Sequence, residues 1–199
     1  MNAPEGSADR AAPEGSADRA APGSAEPPVA TLRVGILTVS DAGARGERAD
    51  GSGDAATAWA ARRGYVVVAR AVVADETAQI VARLVAWCDA GAVDLLLTTG
   101  GTGLSPRDVT PEATRAVLER EAPGIAERIR VMQVERFPRA ALSRGLAGTR
   151  ARTLVVNLPG SRGGVLDALA SLDEIVDHAC EVVCGRVGDH AGSAGSVAP

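Results

Sequence analysis

The stretch Val93-Asp-Leu-Leu-Leu-Thr-Thr-Gly-Gly-Thr-Gly-Leu-Ser-Pro-Arg-Asp-Val-Thr-Pro-Glu112 decides how the rest of the chain folds. Its leucines, residues 95–97, show no polar alternation and predict a strand covered on both faces, as in a parallel sheet. The glycine-rich residues 100–103 can adopt positive φ and turn backbone N–H groups toward one point, where an anion such as phosphate would bind. Thr110 is a candidate N-cap and Pro111 suits the first helical position, so a helix is predicted from Pro111 to Arg120.

Asp108 lies between the glycine turn and this helix. A carboxylate beside a phosphate-binding loop would repel the ligand unless a cation lay between them, so Asp108 suggests Mg²⁺ bridging to a nucleotide or pyrophosphate. A structural role in a tight turn explains the residue equally well. Two standard phosphate motifs are excluded, because no Gly-Lys-Ser/Thr follows the glycines and Pro106 stands where the dinucleotide fingerprint needs glycine.

The composition excludes several classes of chemistry. All 21 basic residues are arginine, against 25 acidic residues, for a net charge of −4. Without lysine, Schiff-base chemistry is excluded and any cationic contact to phosphate must come from guanidinium. With no concentrated basic face and no run of about 18 apolar residues, neither nucleic acid nor a membrane is an expected partner.

Three cysteines and no signal-like apolar start favour a reducing, cytoplasmic location. Cys180 and Cys184 lie one helical turn apart, and with His178 nearby a metal site is conceivable. Small apolar side chains on the inner face of a helix are the interpretation that we favour.

The chain is predicted to contain one domain between two tails. Residues 3–11 and 12–20 are identical nine-residue repeats, and residues 1–28 contain no large apolar side chain after Met1. We therefore expect a disordered tail over residues 1–30, one domain over residues 31–186 and a flexible tail over residues 187–199.

Four predicted strands alternate with helices in this domain. They cover residues 32–40, 65–73, 95–97 and 153–157. This alternation predicts an α/β fold with three layers, α/β/α, around a mostly parallel central sheet.

Polar residues follow the predicted strands at the edge where open α/β sheets bind ligands. Ser40 and Asp41 follow the first strand and Asp75 follows the second, so all three are candidates for ligand contacts. Loop capping is the alternative for Ser40 and Asp41, and capping of the next helix is the role that we favour for Asp75 from the residues alone. Asp50 is similarly a candidate helix cap.

Two further stretches favour anion binding. Arg144 offers forked guanidinium donors to a phosphate, although a surface salt bridge is the alternative. Asn157-Leu-Pro-Gly-Ser161 is a second glycine turn between a strand and a helix. Two anion-binding turns at one sheet edge fit a reaction that joins two phosphate-bearing substrates, with arginine and a carboxylate-held Mg²⁺ neutralising charge.

Two motifs, Gly100-Gly-Thr-Gly103 and Arg107-Asp-Val-Thr-Pro-Glu112, resemble the signature of the molybdopterin adenylyltransferase family. The resemblance runs from about Val34 to about Cys184 and implies the molybdopterin-binding-like fold. It also implies a role in molybdenum cofactor biosynthesis, in which AMP passes from Mg·ATP to the terminal phosphate of molybdopterin and pyrophosphate is released. A homotrimer and a downstream molybdenum insertase as partner are implied too.

The resemblance assigns roles to residues at matching positions. Asp75 and Asp108 match the family's essential acidic residues and are the candidate Mg²⁺ ligands, while Asp50 matches a recurrent element at the first helix. The nucleotide would contact Thr99, Gly100, Gly101, Thr102 and Gly103. The pterin substrate would contact Ser143, Arg144, Asn157, Pro159, Gly160 and Ser161. Many relatives have proline at the position of Arg162, so this chain departs from the family pattern in the second glycine loop.

Two other functions stay open on the sequence. One is a molybdopterin-binding carrier of the same fold without activity, against which the presence of both Asp75 and Asp108 counts. The other is a nucleotide pyrophosphatase of the kind fused to deamidases, against which the absence of a downstream deamidase-like region counts.

Overall fold

The structure is a computed structural model that describes residues 31–186. The predicted tails, residues 1–30 and 187–199, lie outside the described residues, so the predictions about them stay predictions.

Strands and helices alternate over most of the domain. The strands are β1 (Arg33–Val39), β2 (Val66–Val73), β3 (Leu95–Thr99), β4 (Arg120–Glu121), β5 (Ala147–Arg150) and β6 (Thr153–Leu158). The helices are α1 (Asp41–Ala44), α2 (Gly51–Arg62), α3 (Thr77–Asp89), α4 (Thr110–Val117), α5 (Pro123–Val134), α6 (Arg162–Leu172) and α7 (Val176–Val183), with a short 3₁₀ helix over Pro138–Leu142.

The six strands form one mixed sheet in the order β2-β1-β3-β6-β5-β4. The first four strands of this order run parallel, and β5 and β4 are antiparallel to their neighbours. The parallel part brings the carboxyl ends of β1, β2, β3 and β6 to the same edge, and the candidate site lies there.

Helices cover both faces of the sheet, as the leucines of β3 predict. Leu95 and Leu97 pack on one face with side chains from α2, α5, α6 and α7, whereas Leu96 packs on the other face with α3 and α4. All three leucines are fully buried. The α/β/α prediction is therefore confirmed, and Cys180 belongs to the first of these two cores.

Three details of the predicted elements are wrong. The sheet has six strands and not four, because the short segments β4 and β5 continue it beyond β6 as antiparallel edge strands. Helix α4 has Val109 and not Thr110 at its N-cap position. The Thr110 hydroxyl is buried and donates to the Gly100 carbonyl oxygen at 2.9 Å, so it stabilises the glycine turn instead of the helix start. The helix also ends at Val117, three residues before the predicted Arg120.

No helix within residues 31–186 combines the length and the apolar character needed to cross a membrane.

Candidate functional site

Two glycine turns meet at the carboxyl edge of the sheet, one after β3 and one after β6. Gly100 and Gly101 have φ of 97° and 60°, the left-handed region that side chains disfavour. A Cβ atom on Gly100 would lie 2.2 Å from the Val39 carbonyl oxygen, so only glycine fits there. A Cβ atom on Gly160 would lie 3.1 Å from Gly100 Cα, and Thr99 Oγ1 donates to the Pro159 carbonyl oxygen at 2.7 Å. The two turns are therefore packed against each other.

A polar cavity of about 450 Å³ opens beside the first turn. Nine predicted site residues line it, and two of them, Gly160 and Ser161, belong to the second turn. The other seven are Ser40, Asp50, Asp75, Thr99, Gly100, Gly101 and Asp108. Arg48 and Arg162 also line this cavity and bring positive charge to it. The cavity thus combines backbone N–H groups, two arginines and three carboxylates.

Asp41 and Asp75, at the ends of β1 and β2, hold each other in place. The Asp41 N–H donates to Asp75 Oδ2 at 2.8 Å, and the Asp75 N–H donates to Asp41 Oδ1 at 3.0 Å. Arg107 donates to Asp41 at 2.9 Å and to Glu76 at 3.1 Å. Asp75 therefore does not cap α3, the role favoured from the residues alone, since Glu76 occupies the N-cap position and α3 has no side-chain cap. Asp41 itself lines neither cavity of the site.

The surroundings of Asp41 and Asp75 shift the pKa values of the two carboxyl groups in opposite directions. The backbone hydrogen bond from Asp75 lowers the pKa of Asp41, and Arg107 adds to this effect. Burial raises the pKa of Asp75 despite the hydrogen bond from the Asp41 backbone, and the charges of Asp41 and Asp108 raise it further. Positive charge placed in the cavity would relieve this repulsion.

The donor set fits a magnesium ion that arrives with a substrate. Within residues 31–186, no three His, Cys, Asp or Glu side chains are arranged to enclose a metal ion. Mg²⁺ is commonly held by only one or two carboxylates together with substrate phosphates and water. Asp75 and Asp108 both line the polar cavity, and Asp75 Oδ1 lies next to Gly101, where phosphate would bind.

Asp50 has a clear structural role in addition to its place on the cavity wall. It occupies the N-cap position of α2 and accepts from the Gly53 N–H and from Thr38 Oγ1, both at 2.9 Å. Arg70 donates to its other carboxylate oxygen at 2.7 Å. The helix-cap alternative for Asp50 is thus confirmed.

A second, more apolar cavity of about 280 Å³ lies on the other side of the glycine turns. Its wall includes four predicted site residues that the polar cavity lacks, namely Thr102, Gly103, Ser143 and Pro159. Ile129, Phe137 and Leu142 supply apolar surface, and Arg130 and Arg139 supply charge. Gly101, Asp108, Gly160 and Ser161 line both cavities, so these residues form a shared wall.

Gln133 also lines the apolar cavity, and its amide nitrogen Nε2 has no hydrogen-bond partner among the described residues although it is buried. Leaving such a donor unpaired costs roughly 1–3 kcal/mol. A hydrogen-bond acceptor on a bound molecule would remove this cost.

Arg144 lies outside both cavities and braces the loop between the first turn and α4. Its guanidinium donates to the carbonyl oxygens of Gly103 at 2.7 Å and Asp108 at 2.5 Å, and forms an ion pair with Glu112. Its backbone N–H donates to the Thr102 carbonyl oxygen at 2.9 Å. The salt-bridge alternative for Arg144 is thus present in the structure, and its direct contact with a phosphate stays a prediction.

Asn157 is likewise buried and lines neither cavity. Its Nδ2 donates to Thr98 Oγ1 at 2.8 Å and to Thr114 Oγ1 at 2.9 Å, and its Oδ1 accepts from the Leu146 N–H at 3.1 Å. The side chain thus links β6, β3, α4 and the segment before β5 instead of facing a ligand.

Sequence reasoning missed several cavity residues. Arg130, Gln133 and Phe137 follow one another at intervals of three and four residues along α5 and the turn after it, a spacing that marks one helical face. That signal could have identified them. Arg48 lies in a loop and Arg139 in the short 3₁₀ helix, and neither segment is long enough for a periodic pattern to show which side chains face a cavity.

The chain matches the family model described as a probable molybdopterin binding domain over residues 35–178. It is 34% identical over 160 residues to a molybdopterin adenylyltransferase of Helicobacter pylori, which covers 78% of this chain and 90% of that protein. It is 42% identical over 112 residues to the molybdenum cofactor synthesis protein cinnamon of Drosophila melanogaster, which covers 56% of this chain and 19% of that protein.

Solved structures give the same result. The molybdopterin biosynthesis enzyme MoaB from Thermus thermophilus superimposes with a TM-score of 0.74 at 49% identity, over 78% of this chain and 98% of that one. The motifs, the fold and these matches agree. The chain belongs to the probable molybdopterin binding domain family, which includes the molybdopterin adenylyltransferases.

Proposed function

We propose that the protein is a molybdopterin adenylyltransferase of molybdenum cofactor biosynthesis. It would transfer AMP from Mg·ATP to the terminal phosphate of molybdopterin and release pyrophosphate. The observation that carries this proposal is the shared wall of Gly101, Asp108, Gly160 and Ser161 between two cavities of different chemistry. A reaction between two phosphate-bearing substrates needs such a place, where both phosphates can approach each other.

We assign ATP to the polar cavity. The N–H groups of the first glycine turn are suited to phosphate oxygens, and Arg48 and Arg162 line the same cavity. Ser161 caps α6, with its hydroxyl oxygen accepting from the Gly164 N–H at 3.1 Å. The start of this eleven-residue helix therefore adds positive potential on the same side.

We assign molybdopterin to the apolar cavity. The flat surface of a pterin ring needs apolar neighbours, which Ile129, Phe137 and Leu142 provide. The substrate phosphate needs guanidinium, and Arg130 and Arg139 are the arginines on this wall. Arg144, which was expected in this role, would act indirectly by holding the loop that carries Asp108.

The chemical step needs no nucleophilic side chain. An oxygen of the molybdopterin phosphate forms a bond to the α-phosphorus of ATP, and the bond from that phosphorus to the oxygen bridging to the β-phosphate breaks. Pyrophosphate leaves with the bonding electron pair. Because the second pKa of a phosphate monoester is about 6, the attacking oxygen is already ionised at neutral pH. The protein's task is to align the two phosphates and to counter their mutual repulsion.

Asp75 and Asp108 would hold Mg²⁺ on the nucleotide side. Bound there, the ion supplies charge neutralisation for the phosphates. The two carboxylates are fixed by this chain's own contacts: Asp75 by the Asp41 N–H, and Asp108 by the Ser105 N–H, which donates to its Oδ2 at 2.8 Å.

We also propose, from the family resemblance, that the protein acts as a homotrimer and passes its product to a molybdenum insertase. Light scattering of the purified full chain tests the first point. A mass of one or two chains at working concentration would contradict the trimer.

Incubation with ATP, MgCl₂ and molybdopterin, followed by chromatography of the products, tests the activity. We expect adenylylated molybdopterin and pyrophosphate in equal amounts, and neither when MgCl₂ is replaced by a chelator. Tight molybdopterin binding without any product would leave a carrier as the function and would refute the transferase.

A further inference from the structure

Gln133 combines burial with an unpaired donor on the wall of a cavity. Its side chain lies near the end of α5 and the residue is only 7% exposed. Within residues 31–186, Nε2 has no hydrogen-bond partner. The residue lines the apolar cavity and also a smaller neighbouring cavity of about 160 Å³. A ligand that fills the apolar cavity would therefore lie against the Gln133 side chain.

Gln133 is a neutral polar residue between apolar and positively charged neighbours on this part of the wall. Ile129 and Arg130 precede it by one turn, and Phe137 follows by one turn, with its N–H donating to the Gln133 carbonyl oxygen at 2.8 Å. Arg130 donates to the Gly145 carbonyl oxygen at 3.0 Å, so its guanidinium is held toward the segment between the 3₁₀ helix and β5. An anionic ligand atom would be drawn to the arginines, whereas a neutral donor is suited to a neutral acceptor.

We propose that Gln133 is a specificity-determining residue that donates from Nε2 to the 4-oxo oxygen of the pterin ring. This inference rests on the proposed function, because it takes the occupant of the apolar cavity to be molybdopterin. A flat ring alone would be accommodated by an apolar side chain at position 133. A buried amide with an unpaired donor is explained if the ligand supplies the acceptor, since the site then penalises rings that lack it.

Two ring probes test the hydrogen bond directly. One is 6-hydroxymethylpterin phosphate, and the other is its 2,4-diamino counterpart, in which an amino donor replaces the 4-oxo acceptor. Both carry the same phosphate, so contacts to Arg130 and Arg139 are matched. Fluorescence titration at a pH where both rings are neutral gives the ratio of the two dissociation constants.

We expect the wild-type protein to bind the pterin roughly tenfold more tightly than the diamino ring. Gln133→Met keeps the length of the side chain but removes the donor, and should reduce this ratio to near one. Gln133→Leu should do the same, so that a folding defect in one variant leaves the other. Met132→Leu is the control, because Met132 is half exposed and does not line the apolar cavity.

The outcomes separate this inference from the proposed function. If the wild type adenylylates molybdopterin but both Gln133 variants keep the tenfold ratio, the amide has another role and the inference fails alone. A preference for the diamino ring in the wild type would also overturn it. If the wild type neither binds the pterin probe nor forms product, the inference and the proposed function fail together.

Discussion

Among the four described residues that line both cavities, Asp108 is the one that carries a carboxylate. We expect Asp108→Asn to lower turnover by on the order of 10²-fold or more, since a group that stabilises transition-state charge is lost. The amide keeps an oxygen that can accept from the Ser105 N–H, so the turn should survive. Initial rates and thermal unfolding of the same samples test this. Near-normal turnover in a normally folded variant would exclude Asp108 from the catalytic machinery.

Asp94 gives the fold a defined dependence on acid. It is buried and accepts from the Arg33 N–H at 2.9 Å and from Arg33 Nη2 at 2.8 Å, and Arg186 donates to it at 3.0 Å. Burial alone would raise the pKa of Asp94, but these hydrogen bonds and charges outweigh burial and hold it at about 2. Because this pKa lies below that of the unfolded chain, near 4, the stabilisation is complete above about pH 4 and is lost as pH falls through 2.

Asp94→Asn should therefore lower the free energy of unfolding by on the order of 2 kcal/mol at neutral pH. The difference from the wild type should shrink between about pH 4 and pH 2. Chemical unfolding at several pH values measures it. A difference that does not change with pH would mean that the carboxylate charge contributes nothing.

The positions of several site residues could be predicted from the sequence, but their hydrogen-bond partners could not. The candidates at strand ends were found because a parallel sheet brings those ends to one edge, and Ser40, Asp75 and Asp108 do line a cavity there. The roles of Asp75 and Arg144 depend on partners more than 30 positions away, Asp41 and the Gly103 and Asp108 carbonyl oxygens. No local pattern encodes such partners.

At the scale of elements, the first glycine turn is fixed by close contacts and by positive φ. Gly100→Ala should destabilise the protein by at least roughly 2 kcal/mol, because it combines a left-handed backbone with a Cβ atom 2.2 Å from the Val39 carbonyl oxygen. Gly163→Ala in α6 is the matched control, since nothing lies within 4 Å of its Cβ position. That variant should be as stable as the wild type or about 0.4–1 kcal/mol more stable. Equal unfolding midpoints for the two variants would contradict the strain assigned to the turn.

The loop from Thr102 to Asp108 is held in place by the side chain of Arg144. Arg144→Ala removes the donors to two of its carbonyl oxygens, so the affinities for ATP and for molybdopterin should both fall, each by roughly tenfold. Arg139→Ala should weaken molybdopterin alone, because Arg139 lines only the apolar cavity. Separate calorimetric titrations with each ligand decide between these effects. If Arg144→Ala lowered the affinity for molybdopterin alone, the result would support a direct contact between Arg144 and that substrate.

The strands that contain long apolar runs were predicted from the sequence, and the strands without such runs were not. The parallel strands β1, β2, β3 and β6 carry long apolar stretches and were predicted, with boundaries within one or two residues. The edge strands were missed because β4 has two residues and β5, Ala-Gly-Thr-Arg, has no apolar alternation. Tertiary pairing with β6 makes β5 a strand, and local sequence does not record that pairing.

At the scale of the whole molecule, the sheet places two chemically different cavities at one edge and separates them by a wall of four residues. One cavity carries carboxylates, arginine and the backbone of the first glycine turn, and the other carries apolar surface and arginine. This arrangement supports direct transfer between two bound substrates, without a covalent enzyme intermediate.

The most direct test of this mechanism follows the label from ATP. The protein is incubated with Mg²⁺, molybdopterin and ATP labelled either at the α-phosphate or at the γ-phosphate. We predict that the α-label enters the molybdopterin product and that the γ-label appears only in pyrophosphate. Release of the α-label as free AMP, in the presence or absence of molybdopterin, would instead identify a nucleotide pyrophosphatase and contradict the transfer.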